Sequence, residues 1–445
     1  MTSRDQATSP EQSASPRPPA SRSPLLRRDY ALIWSAGLVS DTGDWLLMIA
    51  LPLFAFAATG SALGASTVFL VELVPMLLLG TFLGVLVDRW DRRRTIIVTA
   101  LLQAVALLPL LAASADRMWI VYTVAAVEAC LGAVINPARQ ALVPSLVEPD
   151  QLARGNALIA VSDSIARLVG SPLGGIAFAA GGLPGVVVAD AATFLITAAL
   201  VAFMRRTPRS PRTTPAAEEA PAAVERRLLR EWREGLALIG RSGTLRTLAV
   251  ITALGSVSQG LFLVLFIVYV TQDLGAGDAG VGLLRGVQAI GGVLGGLLSG
   301  MLVRRLAPRA LVGAGYLAFG LLSLLTWNLA PFTTALGVYA GLFIAMGIPA
   351  VATATGEITL VQTATPPHAL GRVIAAMTTV AGAAQGVGLL AGGLLAERFD
   401  VVTILDGQAA LYLACGVIAL LALRPPTPVL PRNPPGMPGV SGNRT

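Results

Sequence analysis

Twelve apolar runs of bilayer-crossing length follow one another along this chain of 445 residues, at approximately 30–58, 62–87, 95–114, 117–136, 156–180, 185–204, 245–271, 279–303, 310–329, 333–355, 373–396 and 402–423. A helix rises about 1.5 Å per residue, so about 20 apolar residues cross a hydrocarbon layer roughly 30 Å thick. With no water there to satisfy the backbone, each run must bond to itself as a helix. Composition agrees: 54% hydrophobic residues, 13% charged residues and a mean hydropathy of +0.72 leave too little polar surface for a water-soluble fold of this size. The expected class is an all-α integral membrane protein embedded in a lipid bilayer.

All 32 basic residues are arginine. If the N-terminus lies in the cytoplasm, 28 of them fall on the cytoplasmic side, Arg117 and Arg398 fall on the opposite side, and Arg167 and Arg285 fall inside runs. That asymmetry is the positive-inside pattern, and it predicts a multi-pass protein of the cell membrane with both termini cytoplasmic. The net charge of +7 is then a topology signal. A nucleic-acid surface is the poorer reading, because the arginines are scattered among short segments.

Five segments are expected. Residues 1–24, rich in Ser, Pro and Ala, make a cytoplasmic tail unable to form a core, with no cleavable signal. A six-helix bundle follows over 25–206, then a linker over 207–243, a second six-helix bundle over 244–424 and a tail over 425–445. The linker begins with a proline-broken polar stretch. It continues with Leu228, Leu229, Trp232, Leu236 and Ile239 at helical spacing against arginines and Glu234, an amphipathic helix suited to the membrane surface or to the underside of the bundle.

The two bundles read as copies. Gly84 corresponds to Gly300 at an offset of 216, while Arg154 matches Arg372, and Gly174 and Gly175 match Gly392 and Gly393, each at 218. Such six-plus-six duplication is how alternating-access transporters are commonly built. Gly292, Gly296 and Gly300 recur every four residues in the eighth run, a stripe that permits close helix approach in lipid.

Several chemistries are excluded. Without lysine there is no P-loop lysine and no Schiff-base lysine. One histidine, His368, and two distant cysteines, Cys130 and Cys415, do not make a conventional zinc site. No cofactor, metal or catalytic residue is expected, so the chain does not read as an enzyme.

Charges inside apolar runs cost about 2.5–3.5 kcal/mol each on insertion scales, so they should face a cavity or a partner. Asp44, Glu72, Glu128, Asp163 and Asp190 occupy the first half, Arg285 and Glu357 the second. Asp163 and Arg167 are spaced to pair on one helix, which gives a structural reading beside a functional one. Asp44 and Glu128 have no partner in their own runs, and a carboxyl so placed can alternate between protonated and charged forms as the site opens to each side. Asp44, Glu128, Asp163 and Arg167 are therefore the candidates for binding protons or substrate. Glu72 and Asp190 carry weaker claims, Asp190 as a cap or bridge between helices.

Between the second and third runs lies Gly84-Val-Leu-Val-Asp88-Arg89-Trp90-Asp91-Arg92-Arg93-Arg94. It resembles motif A of the major facilitator superfamily, Gly-x-x-x-Asp-Arg-x-x-Arg-Arg. The resemblance implies that Gly84 heads a gate in which Asp88, Arg89, Arg92 and Arg93 form a charge network latching the halves on the cytoplasmic side in the outward-facing state. Trp34, Ser40, Gly43-Asp44-Trp45, Asn136-Pro-Ala-Arg139-Gln140 and Leu152-Ala-Arg154-Gly-Asn156 are similar to the branch that includes the enterobactin exporter and many multidrug exporters. There are departures. Asp91 replaces the motif A glycine, Arg304 stands where the second half would carry Asp, Gly170-Ser-Pro172-Leu-Gly174-Gly175 is a shortened motif C, and Glu128 takes the place of the motif B arginine if Gly132 is that motif's glycine.

The expected fold is thus two pseudo-symmetric six-helix bundles of the major facilitator type. The expected function is export of a small, partly hydrophobic molecule, drug-like or siderophore-like, by alternating access coupled to proton antiport, with the chain acting as a monomer. Uptake of a small solute by proton symport and a non-transporting membrane sensor are the alternatives.

Overall fold

The computed structural model describes residues 27–87, 90–205, 221–302 and 305–423. Asp88 and Arg89, the two tails, the proline-broken stretch and Arg304 lie outside the described residues. Along the chain run α1 (Arg28–Thr59), α2 (Ala62–Val87), α3 (Arg92–Ala106), α4 (Met118–Leu142), α5 (Leu152–Ala202), α6 (Pro221–Arg241), α7 (Gly243–Val268), α8 (Gly277–Leu302), α9 (Pro308–Trp327), α10 (Leu336–Ala364), α11 (Leu370–Leu395) and α12 (Val401–Ala422). Among the described residues, ten helical stretches are long and apolar enough to cross a membrane, and the 62–78 part of α2 is a shorter apolar segment.

One of the ten stretches counts twice. Within α5 the backbone leaves helical geometry at Gly182, whose φ of 57° and ψ of −160° suit glycine. Contacts with α1 show that the chain reverses there. Gly170 packs on Thr42 and Trp45 and Gly174 on Leu46, so the limb 152–181 runs parallel to α1. Asp190 packs on Gly43, and Thr197 Oγ1 donates to Ala36 O at 3.2 Å, so the limb 183–202 runs antiparallel. We call these limbs α5a and α5b; they are the expected fifth and sixth spans, and they complete twelve.

Duplication is visible in who touches whom. In the first half Gly170 and Gly174 of α5a pack on Thr42 and Leu46 of α1, and Gly175 meets Asp278 and Ala279 of α8. In the second half Gly388 and Gly392 of α11 pack on Val257 and Leu261 of α7, and Gly393 meets Leu63 and Ser66 of α2. Each glycine lets two backbones approach where a side chain would hold them apart, which is how helices associate in lipid. Arg93 at the start of α3 donates to Val201 O and Ala202 O at the end of α5b, and Arg309 at the start of α9 likewise donates to Leu423 O at the end of α12.

The halves meet unevenly. At the arginine-poor end Ser61 Oγ donates to Glu397 Oε1 at 3.1 Å, Ser66 Oγ donates to Leu389 O, and Leu53 and Phe69 join one apolar core with Phe262, Phe266, Trp327 and Phe343. The cross-half approaches continue down to Gly286 on Pro172 and Gly382 on Leu77, about the middle of those helices. Nearer the arginine-rich end, Arg27–Glu148 and Arg139–Asp41 pair within the first half, and Arg372 of the second half pairs with Glu234 of the linker helix. Among the described residues, the contacts between the halves gather at the arginine-poor end and the middle of the helices.

The amphipathic linker helix α6 lies against the bundle. Gly235 sits on the backbone of Arg372 at the start of α11, Glu234 pairs with Arg372, and Trp232, Leu236 and Ile239 join an apolar cluster with Leu360, Val373 and Met377. Of the two surfaces open to this helix, it takes the protein one.

Candidate functional site

Three layers of charge lie along the axis of the first half. Nearest the arginine-rich end, Arg139 of α4 pairs with Asp41 of α1 at 2.8 Å and donates to Gly37 O at 3.3 Å. Gly37, one turn before Asp41, leaves the space that the guanidinium fills. Tyr30 Oη donates to Gly155 O and Trp34 Nε1 to Leu158 O, fixing α1 to the first turns of α5a. The result is an open cleft lined by Trp34, Asp41, Arg139, Gln140, Ser162 and Asp163, among others. Here Asp163 is exposed and faces Asp41.

The expected pair of Asp163 with Arg167 does not form. One turn deeper, Arg167 stacks over Trp45 at 5.1 Å and reaches across the interface to Gln288 of α8. The amide and the indole, supplied by neighbouring helices, lie where the side chain points, while Asp163 turns to the cleft. Arg285, one turn before Gln288, also donates to that amide at 3.4 Å and lies over Phe262 at 5.1 Å. This middle layer joins the halves at the bottom of the seam.

The third layer is enclosed by α1, α3, α4 and α5b. Asp190 is fully buried, accepts from Thr193 Oγ1 at 3.0 Å and lies against Gly43, so it bridges α5b to α1. Its second oxygen has no hydrogen-bond partner among the described residues, and buried Glu128 lies beside Asp190 and within side-chain hydrogen-bond reach of Gln103. Half-buried Asp44 stands within electrostatic reach of Asp190, Asp41 and Glu72. Asp44 and Glu128 thus come together through Asp190, while Asp163 and Arg167 belong to the other two layers. In the second half Glu357 accepts from Tyr316 Oη at 2.7 Å, and Tyr316 stacks on Tyr412.

Asp41 and Gln288 were not singled out from the sequence. Gln288 shares a helix face with Arg285, a usable signal. Arg139, counted with the loop after the fourth run, belongs to the last turn of α4, and its partner is 98 residues away.

Of the residues expected to form the gate, Gly84 lies within α2. Arg92 donates to Ala141 O at 2.6 Å, and Arg93 donates to the last carbonyls of α5b. Both arginines satisfy orphan carbonyls and oppose the negative ends of helix dipoles inside the first half. Asp91 caps α3 by accepting from Arg94 N at 2.8 Å, which accounts for an aspartate where motif A has glycine.

The sequence profile of the Major Facilitator Superfamily matches residues 33–254 and 248–443. The multidrug efflux pump Tap of Mycolicibacterium fortuitum is 28% identical over 420 residues, covering 91% of this chain and 96% of that protein. The macrolide efflux protein A of Streptococcus pyogenes is 24% identical over 372 residues, 83% of this chain and 89% of that one. An uncharacterized MFS-type transporter, y4rN, of Sinorhizobium fredii is 30% identical over 88% of this chain and 95% of its own. Among solved structures, a nucleoside transporter superposes with a TM-score of 0.72 at 10% identity, over 89% of this chain and all of that one. A bacterial homologue of the iron transporter ferroportin in an inward-facing state superposes at 0.69 and 18%, over 89% and 98%; at these identities the likeness is one of fold. Twelve spans in two copies, a whole-length profile match and relatives among efflux pumps converge: this chain is a multi-pass membrane transporter of the major facilitator superfamily, in its efflux branch.

Proposed function

We propose that the chain exports a small, partly hydrophobic molecule by alternating access driven by proton entry. Its arginine-rich end and both termini lie in the cytoplasm, so the arrangement with the halves joined at the arginine-poor end is inward-facing. Residues 25–206 and 244–424 rock as two bodies joined by the 207–243 linker, within one monomer. Export from the cell membrane is the reading favoured by similarity to Tap and to macrolide efflux protein A along nearly their full lengths. Small molecules and protons are the partners, and the positive charge serves topology instead of nucleic-acid binding.

One observation carries the coupling: among the described residues Glu128 is buried with no arginine paired to it, beside Asp190 and near Asp44, with the neutral Gln103 side chain as its hydrogen-bonding neighbour. A carboxylate enclosed without a counter-charge is costly as an anion, and a proton relieves that cost. Substrate entering the cleft at Asp41, Arg139 and Asp163 would exchange with a proton on the deeper group as the halves rock. Asp88, Arg89, Arg92 and Arg93 below Gly84 latch the cytoplasmic side when it closes.

Efflux from loaded vesicles of a macrolide and of a fluorescent organic anion, each with and without a pH gradient, tests this. Gradient-driven efflux that falls at least about tenfold in Glu128→Gln is the expected outcome. Equal flux with and without the gradient would reject proton coupling.

A further inference from the structure

The middle layer holds two guanidiniums and no carboxylate. Arg285 is 6% exposed, and Arg167 is half-buried with its Nε buried and unpartnered. Both turn to one acceptor, Gln288 Oε1, and Arg285 reaches it only at 3.4 Å. They are near enough to repel one another. Among the described residues, no aspartate or glutamate comes within ion-pair distance of either: Asp163 faces Asp41, Asp41 is taken by Arg139, and Glu357 by Tyr316. Tyr412, the other titratable group near Arg285, turns its hydroxyl to Gln259.

A guanidinium does not shed its charge and offers five donors in a fork matched to two oxygens. Two such forks, enclosed near mid-membrane and sharing one neutral acceptor, form half of a salt bridge. As static glue they would be inferior to apolar side chains of the same volume. The rings of Trp45 and Phe262, on which the arginines lie, supply apolar walls on either side.

Resting on the exporter reading above, we infer that the transported solute is an organic anion, its carboxylate, sulfonate or phosphate group held between Arg167 of the first half and Arg285 of the second, with its apolar body against Trp45 and Phe262. Gln288 occupies the guanidiniums while the anion is away. Because one arginine comes from each half, a bound anion ties α5a to α8 across the seam.

The test uses the full-length protein in lipid nanodiscs and two probes with the same fluorophore and opposite charge, dansylglycine and dansylcadaverine. Fluorescence titration is expected to show saturable binding of dansylglycine at least about tenfold tighter than dansylcadaverine, a gap set by charge-assisted hydrogen bonds. Arg285→Gln and Arg167→Gln should each weaken dansylglycine about tenfold, and Arg285→Glu should turn the preference toward dansylcadaverine. Wild-type binding that is absent, indifferent to charge or stronger for the cation overturns the inference, and that comparison does not depend on any variant folding. Flux in proteoliposomes separates the two readings. Pumping of dansylcadaverine or a macrolide without anion binding leaves the exporter and removes the anion site. Anion binding without flux of any solute leaves the site and removes the exporter.

Discussion

Asp41 and Arg139 show what a membrane interior demands of a charge. Arg139 sits in the last turn of α4, where a guanidinium also opposes the helix dipole, yet its side chain turns inward to a carboxylate, with only 19% and 14% of the two side chains exposed. Asp41→Asn leaves the guanidinium without a counter-charge. For a fully buried pair that loss is about 3–5 kcal/mol, and the residual exposure brings it toward the lower figure. Melting of the purified variant should fall, transport should drop at least about tenfold, and Asp41→Arg combined with Arg139→Asp should recover part of both. An Asp41→Asn protein that melts and pumps like the wild type would show that the pair is incidental. Sequence could not reveal this contact, since pairing across 98 residues depends on which faces α1 and α4 present. The same holds for Arg167: spacing of four on one helix suggests Asp163, but helix geometry alone cannot weigh it against an amide and an indole from other helices.

At the scale of helices, more was legible. Hydropathy sets the spans because the bilayer does, and the reversal inside α5 is announced by Gly181-Gly182-Leu-Pro184. The glycine pairs at an offset of 218 marked the duplication, and the structure places them at matching seams, α5a on α1 and α8, α11 on α7 and α2. What hydropathy could not decide was the surface taken by α6, since one apolar face suits lipid and protein alike. The seams can be broken selectively. A side chain at Gly282 meets the backbone of Ser171 and Gly175, so Gly282→Leu wedges α8 from α5a at the arginine-poor end, an overpacking of about 1–3 kcal/mol. A cysteine reporter at Ala279 should then react faster with a membrane-impermeant thiol reagent while the protein still inserts. An unchanged rate would show that this seam does not hold the end shut.

For the whole molecule, the arginine-rich end and the arginine-poor end should exchange roles. In the structure Arg92 and Arg93 cap helices of their own half, and the proposed gate network is expected in the opposite arrangement. Interfaces of packed glycines suit such motion, because helices without interlocking side chains can slide and rock as rigid rods. A transporter that works this way must shorten one set of cross-half distances as it lengthens the other. Pulsed electron resonance between spin labels measures both after Cys130 and Cys415 are replaced: one pair at Arg154 and Gly371 on the arginine-rich end, the other at Asp116 and Phe332 on the opposite end. Rocking predicts that adding the exported solute or shifting pH shortens the first distance and lengthens the second; two distances that stay fixed, or move in the same direction, would contradict it.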